Sequence, residues 1–415
     1  MSTLKEIGLV NVRTFESLQL RLAPVNLLIG ENGCGKSTII ESLELLRRAS
    51  TSNFLEELHT VHGGPAALLR VGKPSFDIRA GIVVGDVEFS YVLRIGKLGE
   101  ILHERLSRVS AHEQPTGVLY ERSPAHDVLV LNEVEGKMEP HRCRPEITFI
   151  SQFRGRDESG DTLGAVADAL AGIDVQIAFD VGARWVANST NRSAFARDAV
   201  KLAPTRRLQR LAANLPNAYL QLRNAGDAAW GYTMELVRLG LGEWIEAVQV
   251  EGLPSGGMLA LSLKPRGQDV SLPADALSDG MLGYLALIAL VRLPSDRSLL
   301  VFDEPELHLH PSLAARALGL LASTADEAPV LVATHSSSML DALENPASSV
   351  CLLDVTREFP RTTSVSRPNA AELSRWLADY DGLGSVIAAG FGRAVVDQTA
   401  ESSGASAARD SDPEG

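Results

Sequence analysis

Gly30, Gly35, Lys36 and Ser37 stand at the spacing G-x-x-x-x-G-K-S within residues 27–42, a pattern suited to gripping phosphate. Glycines at 30, 33 and 35 let the backbone turn tightly and bring its N–H groups close to phosphate oxygens. A helix N-terminus at the same point adds positive potential. In such a loop the Lys36 ammonium reaches β- and γ-phosphates and the Ser37 hydroxyl holds Mg²⁺. Asp303 and Glu304 end the apolar run Leu299-Leu300-Val301-Phe302. A buried strand that delivers two carboxylates at its C-terminal end suits Mg²⁺ at Asp303, partly through water, and an attacking water polarised by Glu304. His335 ends a further apolar run over 330–334 and offers an imidazole to a γ-phosphate. Gln152 follows the apolar run 147–150. It has two readings, a sensor of Mg²⁺ or of the attacking water, and an ordinary surface glutamine. Arg13 and Phe15 likewise divide between the base or ribose side of a nucleotide and plain solvation or packing.

The elements that position these residues follow from periodicity. Residues 4–12 and then Leu18, Leu20 and Leu22 alternate as two strands, and Pro24 breaks the second. Residues 25–29 read as a buried strand before the glycine turn. Ile39, Ile40, Leu43 and Leu46 recur at helical spacing after it, giving a helix over 37–48, with a second helical stretch over 54–60. Residues 76–84 and 87–95 are strand-like around the two-residue hairpin link Gly85-Asp86. Further strands are expected over 100–109, 127–132 and 147–150. Helices are expected over 162–171 and 206–223, strands over 244–250 and 258–263, and a strongly apolar helix over 282–293. Strands over 299–302, 330–334 and 349–353 and a helix over 371–379 complete the pattern.

The chain has 415 residues, 45% apolar, with a net charge of −13. That length suggests a core domain plus a lobe or insertion, and the charge argues against a wholly basic nucleic-acid coat. Cys34, Cys143 and Cys351 are unpaired by spacing, which fits a reducing compartment rather than a disulfide framework or a zinc site. Cys34 lies in the glycine turn, as a small residue that fits or as a site where oxidation would block binding. No run of 18 apolar residues and no signal-peptide core occur, so a cytoplasmic location without membrane association is expected. His308 and His310 stand at i, i+2 with no further ligand set in view, which favours a structural or dimer-contact role over metal.

Residues 184–223 carry eight Arg or Lys against the single acid Asp198, with Trp185, Phe195 and Tyr219 interleaved. Such a patch has three readings: a grip on a phosphate backbone, a grip on an acidic protein, or a solvated face whose aromatics pack inward.

The run from Gly30 to Thr38 (Gly-Glu-Asn-Gly-Cys-Gly-Lys-Ser-Thr), Leu277-Ser278-Asp279-Gly280, Asp303-Glu304-Pro305-Glu306-Leu307-His308-Leu309-His310-Pro311 and Thr334-His335-Ser336 occur in this order. Together they resemble the ABC-type ATPases of the SMC/RecF branch, and within it the compact AAA-like ATPases related to the overcoming-lysogenization-defect nucleases. The resemblance implies an α/β, P-loop NTPase fold of ABC-ATPase head type: a mixed sheet with an antiparallel β subdomain and a helical insertion lobe. The expected plan is an N-terminal core part over 1–60, the β subdomain over 61–150, the lobe over 151–245, a C-terminal core part over 246–395 and a disordered tail over 396–415. It implies ATP held by Gly30, Glu31, Asn32, Gly33, Cys34, Gly35, Lys36, Ser37 and Thr38, with Arg13 beside the nucleotide, and Mg²⁺ held by Ser37 and Asp303, with Gln152 as the Q-loop residue. Glu304, His335 and Lys36 would serve hydrolysis, His335 as the switch histidine. Ser278 and the backbone of Gly280 would touch the γ-phosphate bound by a second copy in an ATP-dependent homodimer. Asp279 departs from the Leu-Ser-Gly-Gly-Gln of transporters, so partner geometry or rate is expected to differ. About 60 residues follow Leu353, too few for the metal-binding Toprim domain of the related nucleases, so nuclease activity is not expected of this chain, and the resemblance suggests a separate effector or nuclease partner. The resemblance suggests DNA repair or anti-phage defence. Two alternatives stand beside it, a transporter ATPase subunit, disfavoured by the β-rich insertion and by the Glu-Leu-His-Leu-His-Pro run, and a nucleotide-binding scaffold that hydrolyses little.

Overall fold

A computed structural model describes residues 2–109, 115–123, 126–132, 135–155, 162–182, 195–254, 256–379 and 382–386. The chain opens with β1 (Ser2–Val12), β2 (Phe15–Arg21) and β3 (Val25–Gly30), then α1 (Lys36–Ala49) and the short helices α2 (Phe54–Thr60) and α3 (Pro65–Leu68). A meander follows: β4 (Ser75–Val84), β5 (Val87–Gly96), β6 (Ile101–Val109), β7 (Pro115–Ser123), β8 (His126–Asn132) and β9 (Lys137–His141). Next come α4 (Thr162–Ala171), β10 (Ile173–Gln176), β11 (Val200–Lys201), α5 (Leu215–Asn224), α6 (Asp227–Leu241), β12 (Ile245–Gly252), β13 (Met258–Pro265) and β14 (Leu272–Pro273). The last third holds α7 (Asp279–Arg292), β15 (Leu299–Asp303), α8 (Pro311–Ala322), β16 (Val330–Ala333), α9 (Ser337–Asp341), α10 (Pro346–Ser349), β17 (Val350–Val355), β18 (Thr363–Ser366), α11 (Ala370–Asp379) and α12 (Leu383–Val386).

The sheet that carries the phosphate-binding turn has the order β10-β15-β16-β3-β17-β18. It is parallel from β10 through β17, and only β18 runs against its neighbour. The central strands β15 and β16 carry unbroken apolar runs, Leu299–Phe302 and Val330–Ala333, because both faces are covered. Leu27, Leu300, Phe302, Val330, Val332, Val350 and Leu352 pack on one side with α7 and the segments before it. Leu28, Leu299, Val301, Leu331, Ala333, Cys351 and Leu353 pack on the other with α1 and the meander. Period-two alternation along each strand therefore divides one sheet between two cores.

The antiparallel sheet has the order β2-β1-β4-β5-β6-β7-β8-β9. Val84 pairs with Val87 across the tight link at Gly85-Asp86, as the sequence pattern predicts. The meander is continuous with β1 and β2, so an expected boundary at residue 60 falls inside a single sheet. The expected lobe over 151–245 is not purely helical: it contributes β10 to the core sheet beside β15. Within it, α6 is a helix that the sequence reading lacks, as are strands β7 and β9 in the meander.

Two further expectations are corrected. Residues 147–150 form no strand and lead into a 3-10 turn over Ile150–Phe153. The N–H groups of Phe149 and Ile150 donate to the buried carboxylate of Glu104, at 2.7 and 3.0 Å, instead of to a strand ladder. A helix over 206–223 exists only as α5. Pro216 stands in its first turn, where it cannot extend a helix backward. Ahead of it, Leu211 and Ala212 adopt left-handed conformations, φ 60° and 59°. The Asn214 carboxamide accepts from the Gln209 N–H and donates to the Arg207 carbonyl, folding the segment back on itself. The predicted tail over 396–415 lies outside the described residues.

Candidate functional site

Strand β3 ends at Gly30, and the turn enters α1 through Gly35, whose φ of 107° is left-handed. A Cβ at Gly35 would lie 2.7 Å from the Phe15 ring. Phe15 is fully buried there, so of its two readings packing beneath the turn is the one realised. Glu31, Asn32, Gly33 and Ser37 are exposed, whereas Lys36 and Thr38 are largely buried. Lys36 Nζ donates to the carbonyls of Gly30, at 2.7 Å, and Glu31, at 3.3 Å, which places the ammonium over the mouth of the turn. Cys34 is buried and its Sγ lies 3.9 Å from Lys36 Nζ. Burial pushes the thiol up, against the pull of Lys36, which suits small packing better than a reactive thiolate.

Arg13 sits beside the start of α1. Its guanidinium donates to Thr38 Oγ1 at 3.5 Å and pairs with Glu41 at 2.7 Å, and its Nε donates to the Ala67 carbonyl. The pair also helps to hold the Glu41 carboxyl below its ordinary range, together with His62 and against burial. Thr363 on β18, absent from the sequence reading, donates to the Cys34 carbonyl at 2.8 Å and meets Thr14 Oγ1 at 2.7 Å, stitching the turn to the far edge of the sheet.

Asp303 is the last residue of β15, and β16 runs between β15 and β3. Residues from three adjoining strand ends thus converge at the carboxyl edge of a parallel sheet, where open α/β sheets bind ligands. Burial pushes the Asp303 carboxyl up; the Glu304 and Glu306 charges add to this, and Lys36 and His335 oppose it. These five groups therefore share one electrostatic neighbourhood. Glu304 has φ 54° and donates its N–H to the Ala333 carbonyl at 2.9 Å. A non-glycine residue in that region stores strain, here at the residue that the sequence assigns to the attacking water. His335 is exposed, directly beyond β16.

The donor set suits Mg²⁺. The Ser37 hydroxyl and the Asp303 carboxylate are hard oxygen ligands, of the kind that Mg²⁺ takes one or two at a time alongside phosphate oxygens and water. Among the described residues no cluster of three His, Cys, Asp or Glu forms an all-protein cage. For the remaining metal candidate, Gln152, the only side-chain hydrogen-bond partner among the described residues is Cys143 Sγ, at 3.3 Å.

Ser278 and Gly280 start α7. Ser278 caps it, accepting from the Met281 N–H at 3.3 Å. Arg197 anchors this corner from 80 residues away: it donates to the carbonyls of Ala274 and Leu277, at 2.7 and 2.8 Å, and to Asp279 Oδ1 at 2.6 Å. The same guanidinium holds the carbonyls of Val181 and Gly182. The corner opens on a cavity of about 910 Å³, lined in part by Ser278, Asp279, Gly280, His308 and His310 and by none of the turn residues 30–38. His310 Nδ1 accepts from the Ser312 N–H at 3.3 Å and caps α8, which is the structural role expected of it.

Three basic residues of the stretch make side-chain contacts within the molecule. Arg197 holds the Ser278 corner, Arg207 donates to the Asp296 carbonyl, and Arg210 pairs with Glu44 on α1. Tyr219 is fully buried and donates to the Leu285 carbonyl. Lys201, Arg206, Arg223 and Phe195 are exposed, and Arg184, Trp185 and Arg192 lie outside the described residues. Among the described residues no helix is long and apolar enough to cross a membrane.

Residues 173–341 match the family described as "AAA domain, putative AbiEii toxin, Type IV TA system", and residues 6–50 match a second AAA-domain family. No curated protein matches the sequence. Among solved structures, the chain is similar to an SMC head bound to the C-terminal winged-helix domain of ScpA, with TM-score 0.50, 14% identity, and 88% of this chain and 98% of that one covered. It is also similar to the SMC head domain from Thermotoga maritima, with TM-score 0.45, 15% identity, and coverage of 89% and 100%. A Pyrococcus furiosus SMC head with an extended coiled coil, bound to the C-terminal domain of ScpA, gives TM-score 0.46, 13% identity, and coverage of 91% and 99%. With AAA-domain segments matched on both sides of the meander, and strands from both segments meeting side by side in one sheet, the chain has a P-loop NTPase fold similar to that of SMC heads.

Proposed function

We propose that the chain binds Mg²⁺ and ATP at the edge formed by β3, β16 and β15, hydrolyses the nucleotide, and uses it to close two copies into a dimer. The observation that carries this reading is the separation of two half-sites. Lys36, Ser37, Asp303, Glu304 and His335 gather at one edge, while Ser278 and Gly280 border a cavity that no residue of the turn lines. A serine and a helix N-terminus that open on a cavity of their own suit the γ-phosphate of a second copy. ATP would then act as the ligand that binds the closed state better than the open one. Size measurement of the Glu304→Gln variant with ATP tests this: a stable dimer is expected, and a strict monomer counts against it.

The closed dimer would act on an effector protein or on DNA, in repair or anti-phage defence. The AbiEii-toxin description of the matched family supports a defence role, and the ScpA domain on the similar SMC head supports a protein partner. Internal use of Arg197, Arg207 and Arg210 also favours the protein. Filter binding of single- and double-stranded DNA at two salt concentrations decides the DNA arm, because a phosphate grip weakens steeply with salt.

A further inference from the structure

Glu306 lies two residues beyond Glu304, and its side chain crosses to the neighbouring strand end. Oε1 accepts two hydrogen bonds, from Thr334 Oγ1 at 2.7 Å and from the His335 N–H at 2.9 Å. The Thr334 hydroxyl, fully buried, accepts in turn from the Ser336 N–H at 2.9 Å. One carboxylate oxygen thereby fixes all three residues of the Thr-His-Ser turn. The other oxygen, Oε2, is buried without a hydrogen-bond partner among the described residues, which is costly for a carboxylate. Its charge also works against ionisation of Asp303. A residue that serves packing alone would carry neither cost.

We infer that Glu306 is a positioning residue: it clamps the switch turn to the carboxylate turn, and so sets where His335 meets the γ-phosphate. The clamp works through the Glu306 acceptor oxygen, not through its charge. Nucleotide binding is assigned to the glycine turn, with which Glu306 shares no hydrogen bond among the described residues, so the clamp acts on turnover. This rests on the hydrolysis proposed above.

Steady-state hydrolysis, with ATP affinity measured separately by a fluorescent nucleotide analogue, tests it on Glu306→Ala and Glu306→Gln. Glu306→Ala should lower kcat by about 10- to 100-fold, the range of one or two charge-assisted hydrogen bonds, with KM within about twofold. Glu306→Gln keeps an acceptor oxygen and should hold kcat within about threefold. If Glu306→Ala fails to fold, Thr334→Val, which keeps the side-chain shape but removes the hydroxyl donor, should lower kcat by about 3- to 10-fold at unchanged KM. Full activity in Glu306→Ala or Thr334→Val, equal damage in Gln and Ala, or a KM that rises in step with the loss of kcat overturns the clamp and leaves the proposed function standing. An unmodified protein no faster than Lys36→Ala overturns both.

Discussion

The Lys36 turn and the Ser278 corner, the two halves of the proposed ATP site, are built in opposite ways. The first is local. A strand end, left-handed Gly35 and the first turn of α1 produce it within a dozen residues, and Lys36 folds onto carbonyls five and six positions back. The second is assembled at long range. Ser278 caps its own helix, but the backbone leading to it is held by Arg197, from a segment that also carries the left-handed Leu211 and Ala212. A local device depends on spacing and survives changes elsewhere. A long-range one depends on one guanidinium finding several carbonyls at once, and one substitution can undo it.

Four experiments break or sharpen this contrast. Glu304→Gln should lower hydrolysis by about 10²- to 10⁴-fold, the range for loss of a general base, while ATP still binds; phosphate release against nucleotide titration reads both. Arg197→Met should cost about 3 kcal/mol of folding stability in urea unfolding, since it strands buried carbonyls and leaves Asp279 unpaired. It should also abolish ATP-dependent dimerisation while ATP binding by the monomer stays within about threefold; equal loss of both would erase the distinction between the devices. Lys36→Ala should weaken ATP by about 2 kcal/mol, close to 30-fold, with folding stability barely changed, as expected for loss of a hydrogen bond to charged phosphate.

The smallest effect concerns pH. The Asp303 carboxyl is held above its ordinary range in the fold, so its ionisation costs stability at neutral pH and costs nothing once folded and unfolded chains are both protonated. Asp303→Asn should therefore stabilise the nucleotide-free protein by up to about 1 kcal/mol at pH 7, with the gain fading as pH falls through the raised value and vanishing below the usual carboxylate range. Thermal unfolding across pH checks it, and a gain that grows on acidification would refute the stated cause.

Strands β3, β15, β16 and β17 were readable because they are doubly buried and largely apolar, whereas β10, which carries Asp174 and Gln176, was not. The hairpin at Gly85-Asp86 was readable from its turn. Residues 147–150 misled for a reason that spacing does not reveal: an apolar stretch reads as a strand unless something else takes its N–H groups, and here Glu104 does. Arg197 belonged to a basic run that read equally well as a surface, because charge alone does not say which guanidinium turns inward. Glu306 stood inside a quoted motif, yet its role depends on a partner 28 residues on.

By itself, then, the chain's order of residues determined the phosphate turn, the paired carboxylates and the apolar strands that carry them. Each of these follows from backbone conformation and periodicity over a few neighbouring positions. Tertiary structure alone decided that Arg197 braces the Ser278 corner, that Gln152 bonds with Cys143, and that Glu306 joins two strand ends. Long side chains can satisfy a buried acceptor or donor from many places in the sequence, and only the packed fold selects which one is in reach.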